Sequence, residues 1–452
     1  MNHKCLVFGI IVMLFLISVS GCVKEDDKTV FDIFLTSEGA GIDGLLAVRI
    51  ISPLKGMERY DEGAPVIIFL PGGYEVKGVD TDFPDSADDI IIVSFVFPGG
   101  VDAYSNLSSD GTYDYRGDYC IQALKDVILF CAGKRVDDQE RVIDDIIPAN
   151  IIHDNIGLIG VSNGGNLPVA TAAFYGTDFK DYLQYIIQWE TPVNSQIACR
   201  DLGRVVLNWT TIVRGDYCNP YYQNYQFPQL RVNYSNIAYQ PGRGMFQVFH
   251  DGTNDGKYTT VADQRGVQTP DVDNNDRIDV GEDFPLSNYT DGSKFFYSRM
   301  VTKNLALNNV FNGSWPDHIA TVAEANAFWN KRESVALYDD AIILNTDLEA
   351  MILCSVDDHV QKEPGKPHVR LAFDGWKQAG TPWVKINPDK PFLVEADDRL
   401  ANRSDLPTTY PNTAPADWNN VSSYCYPENV YDGVVELAAV YEMTDRVQQP
   451  KS

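Results

Sequence analysis

Residues 66–70 and 90–97 are short apolar runs, and each breaks at the same tripeptide: Pro71-Gly72-Gly73 in one and Pro98-Gly99-Gly100 in the other. A strand with almost no polar position has no face to give to water, so it belongs inside a parallel sheet covered on both sides. Residues 118–132 then place Ile121, Leu124, Val127, Ile128 and Cys131 at helical spacing. Strand and helix alternate again with a strand at 155–160, a helix at 166–175 and a strand at 185–188. Residues 45–53 alternate ahead of these and stop at Pro53. The fold class that follows is α/β, a doubly wound and mostly parallel sheet.

The alternation lapses near Pro192 and resumes near Glu349. A stretch rich in Asn, Asp, Tyr and Gly lies between, closing with a helical segment at 318–332, and reads as a loop-rich insertion or cap. A strand at 349–355, a helix at 369–378 and a last strand at 383–386 complete the sheet, and 434–445 has the spacing of a closing helix. The expected division is an export signal at 1–22, a linker at 23–44, a core at 45–192 and 335–395, the insertion at 193–334 and a C-terminal extension at 396–452.

The chain has 452 residues, enough for a large buried core, and 44% of them are hydrophobic, which excludes a disordered polymer. Its net charge of −27 repels phosphate backbones and makes nucleic acid a poor partner. At the N-terminus, Lys4 precedes an apolar run from 6 to 17, then Val19-Ser20-Gly21-Cys22 and a charged stretch. This is the pattern of an export signal. Its last four residues resemble the lipobox of prokaryotic lipoproteins, which implies lipidation at Cys22 and a protein held on the outer face of the cell membrane. An uncleaved anchor is the alternative. Both place the remaining chain outside the cytoplasm, where cysteines tend to pair. Cys199 with Cys218 is the preferred pair, while Cys120 and Cys131 on one helix stand roughly 16 Å apart along its axis, too far to bond.

The chemistry centres on Gly160-Val161-Ser162-Asn163-Gly164, between an apolar strand and an Ala-rich helix. A G-x-S-x-G sequence in that setting lifts a serine hydroxyl above the sheet as a nucleophile. With these residues the chain resembles the α/β-hydrolase superfamily, nearest to its dienelactone-hydrolase and prolyl-oligopeptidase-like branches, over about 45–190 and 335–395. The resemblance implies a serine hydrolase acting on small esters or peptides. It also implies an oxyanion hole built from backbone amides of the early loop Leu70-Pro71-Gly72-Gly73-Tyr74, at Gly73, and of Asn163. The family acid follows a later strand; Asp358 stands in that place, with Asp357 as the alternative. The family histidine follows the last strand, but here Asn387-Pro388-Asp389 follows it and no histidine comes later. The base is therefore His318, His359 or absent, and Glu190 or Asp389 could orient His359. His153 sits at the far end of the nucleophile strand, and His368 reads as structural. A protein that keeps the fold as a calcium-stabilised cell-surface binding module without activity is the competing expectation.

Residues 271–282 carry a separate signal. Asp271, Asp273, Asn275, Arg277 through its carbonyl, Asp279 and Glu282 stand at positions one, three, five, seven, nine and twelve of an EF-hand-like loop. Asp276 replaces the usual glycine, which an aspartate tolerates better than most residues. The expected cofactor is Ca2+, in a stabilising site.

Overall fold

The computed structural model describes residues 28–193 and 330–449, apart from 74–76, 80–82, 84–86, 103, 115, 359–365, 417, 419–420, 428 and 431–432. Between these two parts it describes only the backbone of short antiparallel strand pairs, such as Ile237–Gln240 with Gln247–His250. The export signal, the calcium loop, His318, His359 and the Cys199–Cys218 pair lie outside the described residues. So does the helical segment expected before residue 330.

Eight strands form one sheet: β1 (Lys28–Thr36), β2 (Leu45–Pro53), β3 (Ala64–Leu70), β4 (Ile91–Phe95), β5 (Ile151–Val161), β6 (Leu183–Trp189), β7 (Glu349–Leu353) and β8 (Val384–Ile386). Their order is β1-β2-β4-β3-β5-β6-β7-β8. From β4 to β8 every pairing is parallel, and β2 runs antiparallel to both of its neighbours. This is the α/β-hydrolase fold that the resemblance implied.

The six helices labelled here are α1 (Asp118–Cys131), α2 (Asn166–Phe179), α3 (Tyr338–Leu344), α4 (Pro367–Ala379), α5 (Lys390–Ala396) and α6 (Val434–Gln448). Alternate residues of one strand serve opposite faces, because successive side chains in a strand point to opposite sides. Val66, Ile68 and Leu70 of β3 join the core beneath α1, α2 and α4, whereas Ile67 and Phe69 join the core beneath α6. Both faces of the central strands are therefore dry, which is why their sequences show no polar alternation.

Two corrections follow. Residues 28–36, expected to be linker, form β1, paired along its whole length with β2. Only Ile33 and Leu35 are buried in it, and Asp32 faces outward to bond Arg49, so the apolar signal of this edge strand is weak. The C-terminal extension is part of the fold. Asp445 of α6 accepts from Arg59 and from Tyr60, 385 residues earlier, and the Arg59 guanidinium also lies 4.0 Å from the Tyr441 ring.

Candidate active site

The strand order reverses between β3 and β5: β4 lies on one side of β3, and β6 on the far side of β5. Loops leaving the carboxyl ends of such neighbours part in opposite directions and leave a crevice. Leu70 pairs with Gly160 across this junction, so Gly72 arrives beside Ser162. A Cβ added to Gly72 would lie 3.1 Å from the Cβ of Ser162. The early loop and the serine are thus close neighbours.

Ser162 has φ of 50°. A left-handed conformation is uncommon for serine, and conformations of this kind cost about 1–3 kcal/mol and cluster at functional sites. Its flanking glycines explain how the bend closes. A Cβ on Gly160 would sit 2.4 Å from the carbonyl oxygen of Gly164, and one on Gly164 would sit 2.5 Å from the carbonyl oxygens of Leu70 and Pro71. No side chain fits at either place. Asn163 is buried, while Ser162 stays partly open to solvent.

Beneath the bend lies a buried polar cluster with no counterpart in the sequence reading. The Gln188 side chain donates to Gly165 O and to Ser334 Oγ, each at 3.1 Å, and accepts from Tyr338 Oη at 3.1 Å and Trp376 Nε1 at 3.0 Å. All four hydrogen-bonding positions of the amide are in use, as burial requires. Asn166 Oδ1 accepts from the amide and hydroxyl of Ser334, and Asn166 Nδ2 donates to Pro192 O. Burial pushes the Tyr338 hydroxyl above the usual tyrosine range, keeping it a donor.

Arg116 was also missed. It is buried, and its Nη2 donates to the carbonyl oxygens of Pro71 at 2.8 Å and Gly73 at 2.7 Å, with Gly72 O at 3.4 Å. Phe97 lies against the guanidinium at 5.3 Å. In a trans peptide, the carbonyl of one residue and the N–H of the next point in opposite directions. Drawing the Pro71 and Gly72 oxygens toward Arg116 therefore turns the amides of Gly72 and Gly73 away from it. Nothing in the local sequence marks an arginine 43 residues from the loop it holds.

On the other side of Ser162, Val161 pairs with Trp189, so Glu190 stands at the end of the adjacent strand. Glu190 is buried, has φ of 44°, and accepts a 2.5 Å hydrogen bond from Ser355 Oγ. One strand further on, Asp358 is completely buried and Asp357 is exposed, which favours Asp358 as the interior acid. Asp389, considered as a partner for His359, is instead tied to Lys385 and to the amide of Tyr410.

After β8, Asn387 occupies the place of the family histidine. Its amide is committed to backbone: Oδ1 accepts from Cys354 N at 2.9 Å, and Nδ2 donates to Cys354 O at 2.8 Å and Tyr424 O at 2.7 Å. His153 lies at the opposite end of β5, bonded to Cys131 O and Asp144. His368, in the first turn of α4, is completely enclosed. Among the described residues no three His, Cys, Asp or Glu side chains gather to hold a metal ion.

No protein-family model matches the chain, and no curated protein matches it in sequence. Similarity to solved structures is distant. The esterase Est22 shares 14% identity over 37% of this chain, with a TM-score of 0.26, and the chain spans 45% of its length. A fungal esterase from Rhizomucor miehei shares 12% identity, with 79% of this chain and 73% of the esterase covered and a TM-score of 0.36. Carboxyl esterase 2 from the mycorrhizal fungus Tuber melanosporum shares 11% identity over 80% of this chain and 77% of its own, also with a TM-score of 0.36. The fold assignment rests on strand order and direction rather than on these likenesses.

Proposed function

We propose that the protein is a serine hydrolase that cleaves an ester or peptide acyl bond through Ser162. What carries this reading is the left-handed Ser162 with Gly72 packed against it, at the point where the strand order reverses. In this reading Ser162 Oγ attacks the acyl carbon, and the amides of Gly73 and Asn163 stabilise the oxyanion. His318 or His359 takes the serine proton and returns it to the leaving alcohol or amine, with Asp358 orienting the ring of His318 or Glu190 that of His359. Water then cleaves the acyl-enzyme, the same histidine serving as base. Export, attachment to the outer membrane face through Cys22 and binding of Ca2+ by residues 271–282 belong to the same proposal.

One observation favours a second reading, an inactive binding protein that keeps the fold. Asn387 stands where the family histidine belongs, and three hydrogen bonds commit its amide to backbone. A fluorophosphonate probe, which reacts only with an activated serine, separates the two. Labelling of the wild type and its loss in Ser162→Ala is the expected result. An unlabelled but folded wild type overturns the hydrolase reading. Alanine variants of His318 and His359 then identify the base, since one of them should abolish turnover.

A further inference from the structure

Cys354 is the first residue after β7, and Cys425 belongs to the segment leading into α6. The two are 71 residues apart in sequence and both are buried. Their segments are fastened backbone to backbone. Tyr426 N donates to Cys354 O at 3.0 Å, Val356 N donates to Tyr426 O at 3.0 Å, and Ser355 bridges Tyr426 in parallel. Asn387 clamps the same junction through Cys354 and Tyr424. Cys354 and Cys425 therefore occupy neighbouring positions on paired segments, each followed by the bridged residue.

Their sulfur atoms are 2.7 Å apart. Carbon atoms that merely touch rest at roughly 3.5–4.0 Å, and sulfur is larger than carbon. A disulfide needs about 2.05 Å, so closing the bond asks for a shift well below the size of an atom. Cys120 and Cys131 provide a contrast. Both are buried on α1, at positions 11 residues apart, and the helix itself keeps them from meeting.

We propose that Cys354 and Cys425 form a disulfide that ties the loop carrying Asp358 to the C-terminal segment. The oxidant is a low-molecular-weight or protein disulfide. One cysteine thiolate attacks a sulfur of that donor and releases a donor thiol; the second thiolate then attacks the mixed disulfide and releases the other. The protein loses two protons and two electrons, and the donor disulfide becomes two thiols. Burial pushes the Cys354 thiol well above its ordinary value, so exchange is slow once the fold has closed. The bond therefore forms while the chain folds and then resists reductant. The inference is independent of the hydrolase reading, since it concerns what holds the loop and not what the loop does.

The test is to refold the full chain in a glutathione redox buffer, block free thiols with iodoacetamide under denaturing conditions, and digest it without reduction. A cross-linked peptide pair containing Cys354 and Cys425, separating on reduction, is the expected result. Alkylation of both cysteines, or linkage of either to another cysteine, overturns the proposal. Protein refolded with reductant present, and Cys354→Ala/Cys425→Ala if it folds, should melt about 2–7 °C below the oxidised wild type. Identical melts for the oxidised and reduced wild type would overturn the claim that the bond secures the loop.

Discussion

Arg116 Nη2 donates a 2.7 Å hydrogen bond to the carbonyl oxygen of Gly73, from a buried position on the loop that leads into α1. The same nitrogen lies 3.4 Å from the Gly72 carbonyl oxygen, and the opposition of carbonyl and amide in that peptide turns the Gly73 amide away from it, which makes the arginine a positioning residue for one amide proposed to hold the oxyanion. Arg116→Met should lower kcat by roughly tenfold to a hundredfold, less than the loss from deleting an oxyanion donor outright, and should change KM far less. Steady-state kinetics on an activated ester, with circular dichroism to confirm folding, checks this. A variant that folds and keeps full kcat would remove Arg116 from the account.

Gln188 uses its whole amide inside the core. Gln188→Leu keeps the volume but strands the Tyr338 hydroxyl, the Trp376 indole N–H and the Gly165 carbonyl. At about 1–3 kcal/mol for each buried group left unsatisfied, a total loss of at least 3 kcal/mol is expected. Urea unfolding at neutral pH measures it. A loss below 1 kcal/mol would mean that water replaces the side chain.

Burial pushes the Asp126 carboxyl above its ordinary value of 3.8, although Ser37, Arg135 and Gln122 all bond its charged form. The folded state thus holds this proton more tightly than the unfolded chain. Its contribution to stability is fully present below the unfolded value and is lost as pH rises through the folded one. Stability of the wild type relative to Asp126→Asn should therefore fall as pH rises from about 3.8. Paired denaturant titrations across the acid range test the sign, and a difference that grows with pH would refute it.

The loop at 271–282 offers five oxygen-bearing side chains and the Arg277 carbonyl at EF-hand spacing. If it binds Ca2+, a chelator should lower the melting temperature of the wild type by several degrees and leave Glu282→Gln, already lowered, unchanged. Equal melts with and without chelator in the wild type would dispose of the site.

The local sequence determined which segments form the central strands and where the nucleophile bend falls. Residues 66–70 and 156–159 are apolar at nearly every position, and the glycines at 160 and 164 are demanded by contacts within the bend and with β3. Burial on two faces and steric closure of a tight turn leave marks that can be read residue by residue. The edge strand β1, the short helices α3 and α5 and the C-terminal clamp on Arg59 left weaker marks, because each depends on a partner far along the chain.

The same holds for the site. Ser162 and its turn were legible, and so was the break with the family pattern at Asn387. Only the tertiary structure brought Arg116 to the Gly72-Gly73 loop, Gln188 beneath the bend and Cys425 to Cys354. Such pairings answer to the geometry of a closed core, in which any buried polar group must find a partner from whichever segment happens to pass. Spacing along the chain carries no record of that search.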